Sequence, residues 1–321
     1  MPDQAANTAT GLVLDPVFLE HDPGPGHPEQ VARYRAITKV LEENSLTNSL
    51  KRIQPRDATD EELALAHTPA YVALAIREIT EGATQLSTGD TSVCKASLKV
   101  ARRAAGAVCE AVDAIMNGDI KRAFCATRPP GHHATPDRGM GFCVFNNVAL
   151  AARYAQKHHG LKRIAIVDWD VHHGNGTQDI FYADPSVHFF STHQSPLYPG
   201  TGAFKEEGTG KGKGATMNRP FPAKSGMKEI GGAFKDDWLP AMNAFKPELI
   251  VVSAGFDSRI DDPLGDFTLT DTDFSELTRL VIQSANAHAE GRVLSCLEGG
   301  YNVNGLALAV QAHLETLHQT A

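Results

Sequence analysis

The segment DWDVHHGNG, residues 168–176, places ionisable side chains directly after the apolar run IAIV. Asp168, Asp170 and His172 lie at alternate positions as this predicted strand ends, so their side chains start from the same face. Carboxylate oxygens and imidazole nitrogens are ligands that suit Zn²⁺ and related divalent ions. Taken singly, each residue is more often a loop-capping aspartate or a hydrogen-bonded core histidine. The metal hypothesis therefore depends on ligands from elsewhere in the chain.

A further carboxylate, Asp257, follows a second apolar run in the segment ELIVVSAGFD. In a parallel sheet the carboxyl ends of the strands share one edge, so Asp257 is expected near residues 168–172. Three protein ligands drawn from this group would leave one coordination position open, as a catalytic zinc site does. We therefore favour a catalytic metal site over a set of unrelated capping residues.

The adjacent histidines of RPPGHHA, His132 and His133, are candidates for proton transfer beside such a metal. Histidine titrates near neutral pH, so it can take a proton from water and deliver one to a leaving amine. Each imidazole needs a partner for its second ring nitrogen, and Asp168 and Asn175 are available. The alternative is a turn that carries two histidines by chance, but two adjacent imidazoles cannot both be buried cheaply.

Tyr301 follows Gly299 and Gly300, which allow a sharp turn that directs the next side chain into a crevice. A phenol donor there could stabilise a developing oxyanion, and loss of one such donor costs about 2.7–4 kcal/mol in the transition state. A single GGY sequence is weak evidence, because most tyrosines belong to the core or the surface. Its weight comes from its position after a predicted strand.

These candidates need a scaffold that brings them together. Apolar and β-branched runs predict strands at residues 11–15, 122–127, 163–170, 186–192, 248–255 and 292–300. Helical periodicity predicts helices over residues 96–118, 145–160 and 270–291. Such alternation predicts crossover units and a mostly parallel sheet. Each polar cluster follows a strand, so the clusters should converge on one edge of the sheet, while the glycine-rich segment 198–214 is expected to be a surface loop.

Composition narrows the class of protein. The chain has 321 residues and a net charge of −8, which argues against a nucleic-acid-binding surface. Its five cysteines form no C-x-x-C pair, which indicates a reduced compartment. No signal peptide and no membrane-spanning apolar run is evident, so we predict a cytoplasmic location and no membrane partner. We expect residues 1–10 to be a flexible N-terminus and residues 11–321 to form a single catalytic domain.

Taken together, six motifs resemble those of the zinc-dependent histone deacetylase family: HDPGPGHPE, RPPGHHA, VDWDVHHGNGTQ, STHQSPLYPGTG, SAGFDSRIDDPLG and LEGGYN. The match is closest to the class II branch and to the bacterial histone-deacetylase-like amidohydrolases and acetylpolyamine amidohydrolases, and it spans roughly residues 12–315. The resemblance implies an α/β, three-layer arginase/deacetylase-type fold, in which helices flank a central, mainly parallel eight-stranded sheet.

The resemblance also implies a role for each motif residue. It makes Asp170, His172 and Asp257 the ligands of one Zn²⁺. It makes His132 and His133 the tandem pair that serves as general acid and base, with His133 expected to be the base. Asp168 would back His132, Asn175 would back His133, and Tyr301 would be the phenol that polarises the carbonyl. An inner K⁺ or Na⁺ site would comprise Asp168, Ser191 and the carbonyls of Asp170, His172 and Thr192. An outer one would lie near Phe181, Asp184, Val187 and Ala215.

The family's acyl-lysine channel maps onto Gly141, Phe142, Tyr198 and Leu264, with Asp90 as the rim acid that grips the substrate. Three departures stand out. Asn175 replaces the aspartate of the class I branch, which fits class II. Tyr198 stands where many relatives have Phe, and Leu264 stands where the polyamine-selective eukaryotic branch carries a glutamate.

The expected function is zinc-dependent removal of acetyl groups from acylated amines such as acetyl-lysine. An acetylpolyamine or another small acylamine is the alternative substrate, and a catalytically silent acyl-amine binder is the alternative class. A two-manganese ureohydrolase lacks ligands here, because only one Asp-x-Asp-x-His run occurs. The rim motifs also carry the acids Asp22, Glu29, Asp90, Asp261 and Asp262. A rim with these acids would favour a cationic substrate, and the alternative is that they are solvated surface charges. The sequence leaves a homo-oligomer open.

Overall fold

A computed structural model describes residues 9–44 and 46–319. The centre of the fold is one eight-stranded sheet with the order β2-β1-β3-β8-β7-β4-β5-β6. All neighbouring strands pair in parallel, so the predicted eight-stranded sheet is confirmed and is parallel throughout. The strands are β1 (Thr10–Val13), β2 (Lys51–Arg52), β3 (Arg122–Cys125), β4 (Ile164–Asp168), β5 (Val187–Gln194), β6 (Thr216–Phe221), β7 (Leu249–Ala254) and β8 (Val293–Leu297).

The central strands form because their sequences are continuously apolar. Every residue of β4, β7 and β8 is buried, as expected of parallel strands covered on both faces. The two strands that the sequence did not predict, β2 and β6, lie at the two edges of the sheet. Both residues of β2 are exposed and charged, and β6 alternates the buried polar residues Thr216 and Asn218 with half-buried ones and includes Pro220. Both strands therefore lack the apolar run that marks a buried strand.

Two groups of helices flank the sheet. One pairs α4 (Ser97–Met116) with α5 (Asn147–His159), and the other packs α1 (Val31–Glu43) with α9 (Asp271–His288) and α10 (Val303–Gln319). Short 3₁₀ turns occur at Pro16–Leu19, Leu46–Asn48 and Gly210–Gly212, and a π-helical turn at Phe234–Trp238. The α-helices are α1 (Val31–Glu43), α2 (Asp60–Leu63), α3 (Pro69–Thr80), α4 (Ser97–Met116), α5 (Asn147–His159), α6 (Asn175–Phe181), α7 (Met227–Ala233), α8 (Leu239–Phe245), α9 (Asp271–His288) and α10 (Val303–Gln319).

The three helices predicted from periodicity correspond to α4, α5 and α9, and local capping sets three of their ends. The Asn146 side chain accepts a hydrogen bond from the N–H of Ala149 at the start of α5, and Gly160 ends that helix with a φ of 71°. Thr270 and Asp273 form a reciprocal capping box at the start of α9. The termini agree with the predicted ones to within three residues.

The N-terminal boundary needs a correction. Residues 1–8 lie outside the described residues, but Thr10 begins β1 and is fully buried, so it does not belong to a flexible N-terminus. Its hydroxyl donates to the carbonyl of Leu317 at 3.3 Å, which joins β1 to the last helix. The five cysteines are free thiols, and no helix among the described residues is long and apolar enough to span a bilayer.

Candidate active site

The carboxyl ends of β4 and β7 bring Asp170, His172 and Asp257 together. One ligand atom from each lies within 4.8 Å of the others, and all three residues are buried. Nδ1 of His172 is 3.0 Å from Oδ1 of Asp170 and 3.2 Å from Oδ2 of Asp257. Oxygen and nitrogen atoms bound tetrahedrally about 2.0–2.2 Å from one zinc ion would be about 3.3 Å apart. The three side chains therefore have the donor types and the spacing of a zinc site.

The surroundings of these side chains also fit a cation. Oδ2 of Asp257 is buried and, within the described structure, has no hydrogen-bond donor besides the 3.2 Å contact with Nδ1 of His172. A Cβ atom on Gly299 would lie 2.0 Å from that same oxygen, and one on Gly255 would lie 2.1 Å from Oδ2 of Asp170. Only glycine can approach so closely, and a buried carboxylate oxygen with a single donor contact is costly. A bound cation would satisfy it.

Two backbone N–H groups orient the carboxylates. Gly299 donates to Oδ2 of Asp170 at 2.9 Å, and Val171 donates to Oδ1 of Asp257 at 2.8 Å. Burial alone would lower the pKa of His172, but its contacts with Asp170 and Asp257 raise it to about 10. Without a cation, the proton on this imidazole balances the two carboxylates.

His132 and His133 lie beside this group, at the turn after β3. Their ring centroids are 4.0 Å apart, and each Nδ1 has its own partner. Nδ1 of His132 is 2.9 Å from Oδ2 of Asp168, and Nδ1 of His133 is 2.7 Å from Oδ1 of Asn175. These are the two pairings that the sequence analysis expected. Each leaves the Nε2 atom of its imidazole for chemistry.

The two imidazoles have opposite electrostatic environments. Burial disfavours the charged form of both, but Asp168 and Asp170 raise the pKa of His132 well above its usual value. Burial and the neighbouring imidazoles of His132 and His172 lower the pKa of His133 well below it. One site thus holds a protonated imidazole next to a neutral one, which is the arrangement that proton transfer requires.

Tyr301, which follows Gly299 by two residues, is buried. Its N–H donates to Oδ2 of Asp262 at 2.7 Å, and the guanidinium of Arg33 stacks over its ring at 5.1 Å from the centroid. Burial raises the pKa of Tyr301 well above its usual value, so the phenol keeps its proton. It can therefore donate a hydrogen bond to a substrate oxygen.

A cavity of about 300 Å³ leads from the surface to these groups. Phe142 and Tyr198 form part of its walls, and Tyr198 is 37% exposed. His27 contacts the Phe142 ring edge-on at 4.6 Å between centroids. Its lining comprises Asp90, His133, Gly141, Phe142, His172, Leu197, Tyr198, Leu264 and Tyr301. The structure thus brings all five expected channel residues to one cavity and adds Leu197.

A sequence model of the histone deacetylase domain matches residues 27–317. The chain belongs to the histone deacetylase family. A probable deacetylase of Archaeoglobus fulgidus is 40% identical over 298 residues, which cover 92% of this chain and 82% of that protein. The human polyamine deacetylase HDAC10 is 39% identical over 325 residues, which cover 97% of this chain and 46% of that protein.

The crystal structure of the HDA15 HD domain matches this structure with a TM-score of 0.92 at 35% identity. The match covers 97% of this chain and 90% of that one. The predicted family and the arginase/deacetylase-type fold are therefore confirmed. As a member of the histone deacetylase family, the domain is an enzyme of the deacetylase or amidohydrolase type rather than a catalytically silent binder.

Two of the expected rim acids of this histone deacetylase domain are not at the rim. Glu29 is fully buried, where Arg128 and Arg33 hold its pKa far below the usual value against the opposing effect of burial. Asp262 is also buried and accepts the N–H groups of Tyr301 and Asn302. Both predictions were wrong because an acidic residue in a loop can serve as a buried acceptor. Asp22, Asp90 and Asp261 are exposed.

Asp90 is fixed at the mouth of the channel by neighbouring segments. Its Oδ1 accepts the N–H of Gly141 at 2.6 Å, and the hydroxyl of Tyr198 lies 3.4 Å from the same oxygen. Gly141 and Phe142 both have positive φ angles, of 57° and 67°. This unusual backbone lets the Gly141 N–H and the Phe142 ring reach the mouth together.

The residues expected at the inner monovalent-cation site lie together. Asp168 pairs with Ser191 in the register of β4 and β5, and Thr192 follows on the same strand. The outer set, Phe181, Asp184, Val187 and Ala215, lies at the other end of β5. There the Asp184 carboxylate accepts a hydrogen bond from Arg153 at 2.6 Å, and the Ala215 carbonyl accepts one from the Phe189 N–H. Both cation sites stay predictions.

Sequence reasoning missed two groups that support the site. The first is the buried network in which Arg128 binds Glu29 while Arg33 donates to the carbonyls of Glu298 and Gly300. The second is the side chain of Glu298 itself, discussed below. The motifs RPPGHHA, HPE and EGGYN contained most of these residues, but a charged residue gives no sequence signal that it will be fully buried.

Proposed function

We propose that this enzyme hydrolyses the amide bond of acetylated amines, with acetyl-lysine in a peptide as the first substrate class, and uses one zinc ion. The observation that carries the proposal is the convergence on one narrow channel of three candidate cation ligands, a histidine pair with oppositely shifted pKa values and a buried phenol. No single member of this set would indicate hydrolysis, but together they supply every group that amide cleavage needs.

Asp170, His172 and Asp257 would hold the ion. Three ligands leave a position open, and an ion bound there would supply Lewis acidity and lower the pKa of water from about 15.7 to about 7. Iron(II) suits the same ligands, so elemental analysis of the purified protein is part of the test.

His133 is the base in this scheme. Oδ1 of Asn175 accepts a hydrogen bond from the N–H at Nδ1 of His133. This leaves Nε2 of the neutral imidazole free to take a proton from the attacking water. His132, kept protonated by Asp168, stabilises the charge that develops and shares in proton delivery to the leaving amine. Tyr301 keeps its proton and donates a hydrogen bond to the oxyanion of the tetrahedral intermediate.

The substrate class follows from the channel. Its walls are mainly apolar and aromatic, which suits the four methylene groups of a lysine side chain. The exposed Asp90 at the mouth is a hydrogen-bond acceptor for a substrate N–H. An acetylated polyamine, which carries cationic amines instead of a peptide backbone, is the second candidate, favoured by that same acid and by the name of the human relative.

The test is a comparison of acetate release from an acetyl-lysine peptide, acetylspermidine and acetylputrescine with the purified enzyme of known metal content. We expect the peptide to be the fastest substrate and His133→Ala to lower its rate by about 10²–10⁴-fold. His158→Ala, in a tandem pair outside the site, is the matched control and should not change the rate. Release from none of the three substrates, or full activity of His133→Ala, would contradict the proposal.

A further inference from the structure

Glu298 is a fully buried carboxylate that the mechanism above does not use. It directly follows β8. Its Oε2 accepts the N–H groups of Gly131 at 2.6 Å and of His132 at 3.1 Å, and its Oε1 accepts the hydroxyl of Ser253 on β7 at 3.1 Å. The side chain thus joins the ends of two strands to the backbone of the tandem-histidine turn.

No lysine or arginine side chain of residues 9–44 and 46–319 pairs with this carboxyl group. Arg33 donates instead to the main-chain carbonyls of Glu298 and Gly300, at 2.6 Å in each case. Burial raises the pKa of Glu298 to about 7, although His132 and the two N–H donors act against the shift. An acid in this environment is costly, so a residue selected only for packing would be apolar. Its hydrogen bonds must therefore supply something that packing does not.

The backbone after Glu298 contacts the other parts of the site. The N–H of Gly299 donates to Asp170, its carbonyl accepts the N–H of Phe256, and Tyr301 follows two residues later. One short segment, residues 298–301, therefore touches the histidine turn, a candidate metal ligand and the phenol. The Glu298 side chain bonds this segment directly to the backbone of the turn, while the link through Arg33, Glu29 and Arg128 is indirect.

We propose that Glu298 is a positioning residue: by accepting the N–H groups of Gly131 and His132, it fixes the tandem-histidine turn relative to the segment that carries Tyr301. This inference rests on the proposed function, because positioning has a catalytic meaning only if the histidines act in catalysis. What it requires is a correctly placed acceptor, and an amide oxygen can serve as well as a carboxylate.

The decisive pair of variants is Glu298→Ala and Glu298→Gln. The glutamine oxygen can accept both N–H groups while its NH₂ donates to the Ser253 hydroxyl, so Glu298→Gln should keep kcat within about threefold of the wild type. Glu298→Ala should lower kcat by about 10²-fold, because a displacement of about 1 Å at a reacting group has that effect. KM for the acetyl-lysine peptide and the metal content should stay unchanged in both. A kcat of Glu298→Ala near that of the wild type, or equal losses in the two variants, would overturn the proposal.

Ser295→Ala is the matched control for general destabilisation. Ser295 is fully buried on the same strand and bonds Nε2 of His313 at 2.8 Å, away from the histidine turn. Its removal should lower the melting temperature but leave kcat unchanged. If Glu298→Ala does not fold, Ser253→Ala tests the positioning role instead. Loss of one hydrogen bond to Glu298 should lower kcat about 3–10-fold at constant KM. An unchanged kcat would then count against positioning.

A readout independent of activity separates this inference from the proposed function. In ¹H–¹⁵N spectra the amide protons of Gly131 and His132 should shift in Glu298→Gln, where a neutral acceptor replaces a carboxyl group, and should not shift in Ser295→Ala. If the wild type releases no acetate, the proposed function fails while these resonances still test the contact. If acetate is released and the resonances do not move, only the positioning role fails.

Discussion

Of the three tandem histidine pairs in this chain, His132–His133 and His158–His159 have the same residues and different surroundings. His132 and His133 are buried at the carboxyl edge of the sheet, and each donates to a separate side-chain oxygen. His158 and His159 end α5, where His158 is exposed and His159 is partly buried. In the first pair the surroundings drive the two pKa values in opposite directions, upward for His132 and downward for His133. Burial with distinct partners, rather than the tandem sequence, therefore makes a histidine pair suitable for catalysis.

The surface pair has a simpler explanation. Basic side chains near the end of a helix interact favourably with its dipole. His159 is 2.6 Å from Oδ1 of Asp113 on α4, and His158 stacks on Tyr154 at 4.3 Å between centroids. The His159 contact joins α5 to α4, whereas the His158 stack lies within α5. The predictions below alter one region or the other, in order of expected effect.

The largest effect is expected from Asp257→Asn, which preserves the shape of the side chain but removes a charge from the buried cluster. Oδ2 of Asp257 is buried, and its contact with Nδ1 of His172 would be replaced by a bond to the cation when an ion is held there. We expect a metal content well below one ion per chain and a loss of several kcal/mol of transition-state stabilisation, or on the order of 10³-fold in kcat/KM. Asp113→Asn is the matched control, since it alters the aspartate of the surface pair and should change neither quantity.

Asn175→Ala should have the next largest effect on activity. It removes the acceptor of the His133 Nδ1 proton, so the imidazole is no longer held in one tautomer and orientation. Orienting partners of this kind typically contribute about 10–100-fold, and we expect that loss in kcat with little change in KM. Asn175→Asp keeps an acceptor at the same place and should retain more activity than Asn175→Ala. Equal activities of the two variants would mean that the contact does not orient His133.

His67, another of the buried histidines, tests how burial alone affects the free energy of unfolding. Nδ1 of His67 donates to the Thr135 carbonyl at 2.8 Å, and its Nε2 accepts the N–H of Asn146 at 2.9 Å. Burial lowers its pKa from 6.5 to about 4. Between these two pH values the unfolded chain binds a proton that the folded chain does not, so stability falls as the pH decreases.

The expected contribution of His67 to this fall is about 3 kcal/mol between pH 6.5 and pH 4. His67→Gln keeps one donor and one acceptor but cannot titrate. Urea unfolding of the two proteins at both pH values isolates the His67 contribution, because the other titrating groups are common to both. An equal loss of stability in the variant would show that His67 is not the responsible group.

The sequence predicted the centre of the molecule better than its edges. The apolar runs of β4, β7 and β8 mark strands that are buried on both faces, and the residues after them could therefore be assigned to one edge. β2 and β6 have no such signal, because an edge strand is held by backbone hydrogen bonds and its side chains stay partly exposed.

The candidate site shows the same limit. Asp170, His172, Asp257 and the two histidines could be proposed because ligand chemistry restricts the residue types. Glu29 and Asp262 were misplaced, because the burial of an acid depends on donors that arrive from distant segments, such as Arg128 and the N–H of Tyr301. Tertiary structure, and not local pattern, decides whether a loop acid is a solvated charge or an internal acceptor.

The smallest effect is expected from His159→Ala. The substitution removes the contact with Asp113. In this contact the His159 imidazole is 19% exposed and the Asp113 carboxylate is 32% exposed. Pairs near the surface contribute about 0–1 kcal/mol, so the free energy of unfolding should decrease by no more than about that amount. Acetate release and metal content should equal those of the wild type, since α5 contributes no lining residue to the channel. A loss of activity in His159→Ala as large as that expected for His133→Ala would contradict this comparison. Burial and hydrogen-bond partners would then not distinguish the two pairs, and the tandem sequence itself would have a function.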